Sequence, residues 1–126
     1  MNPVLYDAGV LIAADKKDRR FTQIHDFVCA RTRPLLPITV YAQVLRDPAG
    51  QVVLQRAVNT CDLAPLTTQD VREMAPLLAT TGASDIVDGH IVAMALRLDA
   101  VVYSSDPDDL RELAAAAGRT LRIISV

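Results

Sequence analysis

Five aspartates, Asp7, Asp85, Asp88, Asp106 and Asp109, stand where apolar runs of this chain begin or end. Four of them fall between Ser84 and Leu110. That stretch reads Ser84-Asp85-Ile86-Val87-Asp88-Gly89-His90, an apolar helix-like run to Leu98, the run Ala100-Val101-Val102-Tyr103, and then Ser104-Ser105-Asp106-Pro107-Asp108-Asp109. Asp85 and Asp88 are three apart and so share a helix face. They put two negative charges in front of an almost wholly apolar helix, where one cap would serve. Like charges held close repel unless a cation or protons intervene. An oxygen-only set of this kind suits Mg2+, which keeps several waters and takes a few carboxylates together with substrate phosphate, and Mn2+ would also fit. Two such ions a few ångströms apart can activate a water and stabilise the leaving oxygen of a phosphodiester. Each acid also has a simpler reading. Asp7 can cap a helix, and Asp106-Pro107-Asp108-Asp109 has the form of an N-cap, a proline at the first helical position and an acid at the third.

The two histidines fit that chemistry less well. His90 lies two positions past Asp88 and so points away from it, as a core-edge or interface residue would. His25 sits among polar residues of another segment. Cys29 and Cys61 are too few and too isolated for a disulfide framework or a zinc site, and are expected to be small core residues.

Positioning the aspartates requires a scaffold, and composition constrains it. The chain has 126 residues, enough for one domain spanning 1–126; 51% are apolar, Trp is absent and aromatics are 4%, so the core is aliphatic. The net charge of −2 gives no general attraction for a phosphate backbone, so nucleic-acid binding would need bound cations or a local basic patch. No leader pattern and no apolar run of membrane-spanning length is present, which leads to the expectation of a soluble, cytoplasmic protein with no membrane partner.

Short apolar runs alternate with helical patterns along the chain. Val4-Leu5-Tyr6 reads as a buried parallel strand ending at Asp7, followed by an apolar helix over Ala8 to Ala14. Phe21 to Ala30 is amphipathic, Leu35-Leu36-Pro37-Ile38 a second strand, and the helix marked by Val40, Val44 and Leu45 stops before Asp47-Pro48. A helix resumes over Gly50 to Val58, and Cys61 to Leu66 suits a third strand. Thr67, with Asp70 three residues on, opens a helix that Gly82 ends, and the next begins near Ser84 or Asp85. Val101-Val102-Tyr103 is a fourth strand, Leu110 to Ala117 a helix closed by Gly118, and Leu121 to Ile124 a fifth strand. The fold class is therefore α/β, a parallel sheet with helices on both faces, and functional groups of such sheets gather beyond the strands' carboxyl ends. Asp7 and Asp106 both occupy such an end.

The order and spacing of three motifs resemble the PIN-domain ribonucleases, especially the VapC-type toxins of toxin–antitoxin systems. They are Val4-Leu5-Tyr6-Asp7, the helix Asp88-Gly89-His90-Ile91-Val92-Ala93-Met94-Ala95, and Ser104-Ser105-Asp106-Pro107-Asp108-Asp109. The resemblance covers nearly the whole chain. It implies a three-layer α/β/α fold with about five strands in the order 3-2-1-4-5, which would set the first and fourth strands side by side. It further implies that Asp7, Asp88 and Asp106 are catalytic, that they bind Mg2+ or Mn2+ with Asp85 and Asp109, and that Ser104 lies near metal or substrate. RNA as substrate, a small antitoxin as partner and a homodimer are implied too. The chain departs from the pattern at Ala42-Gln43, where the family usually carries a glutamate. An amide oxygen can ligate Mg2+ but adds no charge, so the alternative is a catalytically weak or inactive PIN-like module that binds RNA or a protein. A phosphorelay receiver, also α/β and acid-bearing, lacks support: Asp7 is flanked by Tyr6 and Ala8, and the chain ends Ile123-Ile124-Ser125-Val126 with no lysine after the last strand.

Overall fold

The computed structural model describes residues 2–126. The strands are β1 (Val4–Tyr6), β2 (Leu35–Pro37), β3 (Asp62–Ala64), β4 (Val101–Ser104) and β5 (Arg122–Ser125). The helices are α1 (Ala8–Asp15), α2 (Arg19–Cys29), α3 (Ile38–Val44), α4 (Val52–Asn59), α5 (Thr68–Thr81), α6 (Ile86–Leu98) and α7 (Pro107–Ala116). The strands form one sheet in the order β3-β2-β1-β4-β5. Every pairing is parallel: Leu5 lies opposite Leu35 and Val102, Leu36 opposite Leu63, and Val102 opposite Ile123. The architecture is PIN-like, and β1 and β4 are neighbours.

A parallel sheet needs both faces covered, and right-handed crossovers decide which helices cover which. The chain runs from β1 outward to β2 and β3, then returns across the sheet to β4 and β5. Crossovers of one hand therefore place α1 to α4 on one face and α5 to α7 on the other, and the helices of each set pack against one another. The direction of winding reverses between β1 and β4, where an open α/β sheet leaves a crevice beyond its strand ends. Burial follows the same order. All three residues of β1 are buried, as are Val102, Tyr103 and Ser104 of β4, whereas β3 and β5 are largely exposed edges. Leu5, Leu11, Leu36, Leu54, Ile91, Val102 and Leu110 have no solvent exposure and form the aliphatic centre.

Local signals explain where the helices start and stop. Thr67 accepts from the Asp70 amide while the Asp70 carboxylate accepts from the Thr67 amide, a complete capping box that satisfies two donors at the start of α5. Gly82 ends α5 at φ 72°, a left-handed cap that costs glycine little. Asp85 caps α6 through the amides of Val87 and Asp88. α7 begins at Pro107, three residues before the helix read from apolar spacing, because proline at the first position needs no N–H partner. Cys61 is buried as expected, but Cys29 is exposed: it closes α2 on the solvent side of an amphipathic helix. Among the described residues no helix is long and apolar enough to cross a membrane.

Candidate metal centre

At the winding reversal, Asp7, Asp85, Asp88, Asp106 and Asp109 line one open cleft of about 200 Å³, and Gln43 lines it with them. The sheet and its flanking helices thus bring together all five sequence-predicted acids and the residue at the glutamate position. Asp7 leaves the end of β1, Asp106 follows β4, Asp85 and Asp88 open α6, Asp109 lies in the first turn of α7, and Gln43 lies in the last turn of α3.

The simpler reading of each acid as a helix cap holds for two and not for a third. Asp7 caps α1, accepting from the Ala8 amide at 2.6 Å through Oδ1. Asp85 caps α6 through a single oxygen, Oδ1. Asp106 stands at the cap position of α7, yet its side chain makes no capping hydrogen bond, so its carboxylate is left to the cleft. Ser104 is fully buried beneath the cleft. Its hydroxyl donates to Asp7 Oδ2 at 2.6 Å and accepts from the Asp106 amide at 3.0 Å, tying the ends of β1 and β4 together.

The charges in the cleft oppose one another. Burial raises the Asp7 pKa, the hydrogen bonds from Ser104 and Ala8 pull it down in part, and Asp106 and Asp85 push it up again. Asp88 is pushed up to about 7, first by burial and then by the charges of Asp85, Asp7, Asp109 and Asp106. A cation would remove that repulsion and would meet oxygen donors only, the set that Mg2+ or Mn2+ takes. The donors therefore fit such an ion in kind. Among the described residues no three His, Cys, Asp or Glu side chains already stand close enough together to share one ion. Mutual repulsion of uncompensated carboxylates favours that spread arrangement.

Four residues of the cleft escape a reading of the sequence: Ala8, Gly9, Ile12 and Ser105. Ile12 is 44% exposed although α1 is apolar almost all round, so the cleft has an apolar shoulder. Gly9 sits in the first turn of α1 directly against Ser105. A glycine in an otherwise apolar helix is the signal that could have marked this close approach of backbone. Beyond the cleft shared by all five acids, a second hollow of about 180 Å³ lies across Asp85, Asp88 and Asp109 and adds Glu112.

The histidines lie elsewhere. His90 has no solvent exposure. Its Nδ1 is 2.8 Å from Thr39 Oγ1, and its Nε2 has Asp70 Oδ2 at 3.3 Å, without the geometry of a well-formed hydrogen bond. Burial lowers its pKa against the pull of Asp70 and the Pro65 carbonyl. For Asp70, burial works upward, but the Thr67 amide and the Arg97 guanidinium outweigh it and the net shift is down. His25 bridges the Tyr6 hydroxyl at 2.8 Å and Thr60 Oγ1 at 2.6 Å and stacks on Phe21.

Fold and cleft together define a PIN-like α/β chain with an acidic crevice at its winding reversal. Several solved structures share this fold. A chain of the VapBC2 complex from Rickettsia felis, crystallised with a DNA fragment from its promoter, superimposes with a TM-score of 0.77 at 10% identity, covering 98% of each chain. A chain of a toxin–antitoxin complex from Klebsiella pneumoniae gives 0.69 at 16% identity over 84% of this chain and 88% of that one. A chain of FitAcB from Neisseria gonorrhoeae gives 0.64 at 17% identity over 94% and 95%. No protein-family model matches the sequence, and no curated protein matches it.

Proposed function

We propose that this chain is a metal-dependent endoribonuclease of PIN-domain type, the toxin of a toxin–antitoxin pair, acting in the cytoplasm as a homodimer of single-domain subunits. The observation that carries the reading is the convergence of Asp7, Asp85, Asp88, Asp106, Asp109 and Gln43 on one open cleft. The fold shared with chains of toxin–antitoxin complexes supports it.

In this reading Asp7, Asp88 and Asp106 hold Mg2+ or Mn2+ and are the catalytic acids, with Asp85 and Asp109 completing the charge. When bound, the ion supplies Lewis acidity and lowers the pKa of a water at the phosphodiester. Asp7 keeps a lone pair on each oxygen after serving Ala8 and Ser104, so it can cap, brace and ligate at once. Ser104 orients the Asp7 carboxylate and holds the Asp106 backbone beside it. Ile12 offers an apolar surface beside the acids for a base of single-stranded RNA. The antitoxin would cover the same cleft and set a basic side chain against the carboxylates.

The test is cleavage of RNA by the purified, antitoxin-free chain in Mg2+ and in Mn2+, with EDTA as the control and light scattering to read the subunit number. Cleavage that EDTA abolishes is the expected result. Folded protein that cuts in neither metal would sink the nuclease reading.

One observation favours a second reading. Gln43 is exposed in the cleft and carries no charge, which suits a module that binds RNA or protein without cutting. Gln43→Glu should tighten Mn2+ binding about tenfold, equivalent to about 1.4 kcal/mol. Titration calorimetry of the two proteins measures this directly. Cleavage by the Glu variant alone would establish the silent module as the state of the native chain.

A further inference from the structure

A polar chain, buried at His90 and Asp70, runs behind the cleft and joins three helices. Thr39 of α3 meets His90 Nδ1 of α6 at 2.8 Å, and His90 Nε2 faces Asp70 of α5 at 3.3 Å. Asp70, 1% exposed, is held in turn by the Thr67 amide at 2.9 Å and by Arg97 of α6 at 2.7 Å, and Arg97 also reaches Glu73 at 2.9 Å. Burying an imidazole beside a carboxylate is costly, and an apolar residue could fill the same volume between helices without that cost. What an apolar residue could not do is fix direction.

Direction matters at both ends of this chain. On α6, His90 is two residues beyond Asp88, about 200° around the helix axis. Holding the imidazole inward between Thr39 and Asp70 therefore sets the rotation of α6 that turns Asp88 out to the cleft. On α3, Thr39 and Gln43 are four apart and share a face. α3 is only Ile38–Val44 and starts at Pro37 with no side-chain cap, so its own ends do little to hold it. The hydroxyl of Thr39 supplies the hold. Asp70 is suited to anchor the chain, because the capping box and Arg97 already fix its two oxygens.

We propose that His90 is a positioning residue of the cleft: packed against Asp70 and bonded to Thr39, it locks α3 against α6 so that Gln43 and Asp88 both line the cleft where the acids would hold a metal ion. The proposal rests on the metal-centre reading above. It assigns His90 no contact with substrate and no proton to transfer.

Thr39→Val and His90→Gln test it, since the first deletes one hydroxyl at nearly constant shape and the second keeps a side-chain amide able to bond Thr39. His90→Leu is the apolar control. Mn2+ affinity by titration calorimetry, kcat and KM for RNA cleavage, and Tm in EDTA are measured on all three and on the native chain. Thr39→Val and His90→Leu should each weaken Mn2+ binding about tenfold, the lower end of the effect of supporting residues around metal sites, and lower kcat with KM unchanged. His90→Gln should recover most of the affinity whatever its Tm. Variants that melt earlier but bind Mn2+ as the native chain does would overturn the proposal and leave the network a packing device. A Gln variant no better than Leu would overturn it too. A native chain that neither binds Mn2+ nor cuts RNA overturns the metal centre itself, and this proposal with it.

Discussion

Asp88→Asn is expected to abolish RNA cleavage and, in EDTA at pH 8, to unfold at a higher temperature than the native chain. Both effects arise from one group. In the folded protein burial and four neighbouring carboxylates push the Asp88 pKa up to about 7, far above its value in an unfolded chain. Below about pH 4 the group is protonated in both states and contributes nothing. Between about pH 4 and pH 7 the unfolded chain has lost the proton while the folded chain retains it, so stability falls as pH rises, and above pH 7 the whole penalty is present. An asparagine carries no charge to repel. Since Asp88 is partly exposed and solvent screens it, the gain at pH 8 should be about 1–2 kcal/mol, shrinking to nothing near pH 4. Thermal melts of both proteins at the two pH values measure it. Mn2+ should raise the Tm of the native chain, because a ligand of the folded state stabilises by mass action, and should raise that of the variant much less. A variant that melts lower than the native chain at pH 8 in EDTA would show that Asp88 is not repelled by its neighbours. The cleavage loss should reach about 10³-fold, as when several kcal/mol of transition-state charge stabilisation are removed.

Gly9→Ala should damage the cleft without touching an acid. A Cβ at Gly9 would collide with the Ser105 Oγ and stand 2.6 Å from the Ser105 Cβ and 3.3 Å from the Ser105 amide nitrogen. The hydroxyl can rotate away, but the Cβ cannot, so the backbone between β4 and α7 must move. Alanine gains about 1 kcal/mol of helix propensity over glycine, and overpacking costs about 1–3 kcal/mol, which leaves a net loss of about 0–2 kcal/mol. The loop that must yield carries Asp106. A displacement of about 1 Å there can cost about 10²-fold in rate, so cleavage should fall further than stability does. Gly9→Ala combined with Ser105→Gly removes both clashing atoms and should restore most of the activity. If the double variant cuts no better than the single one, the contact with Ser105 is not what glycine protects.

Much of the cleft was legible in the sequence because its acids sit at strand ends and helix starts, positions that apolar runs mark. Asp7 closes the first such run and Asp106 follows the fourth, and the strand order implied by resemblance made them neighbours, as they are. Asp85 and Asp88 were readable from their spacing alone. The approach of Gly9 to Ser105 was not, since it depends on how α1 tilts against a loop 96 residues away. Nor was the network from Thr39 through His90 to Asp70. Spacing shows that His90 turns away from Asp88 but does not say which helices it then meets. Cys29 was misread for a similar reason: a small thiol fits core and surface equally, and only the rotation of α2 decides.

The burial gradient across the sheet has a consequence for how the molecule breathes. β1 and β4, which carry Asp7 and Ser104 on their ends, are the buried middle of the sheet, while β3 and β5 are exposed rims. Amide exchange should be slowest at Leu5, Tyr6 and Val102 and fastest along the rims, because local opening starts where few apolar contacts hold the backbone. A rim strand can therefore detach and return many times while the acids stay in register, so the readiness of the crevice is insulated from the fluctuations of the domain's own edges.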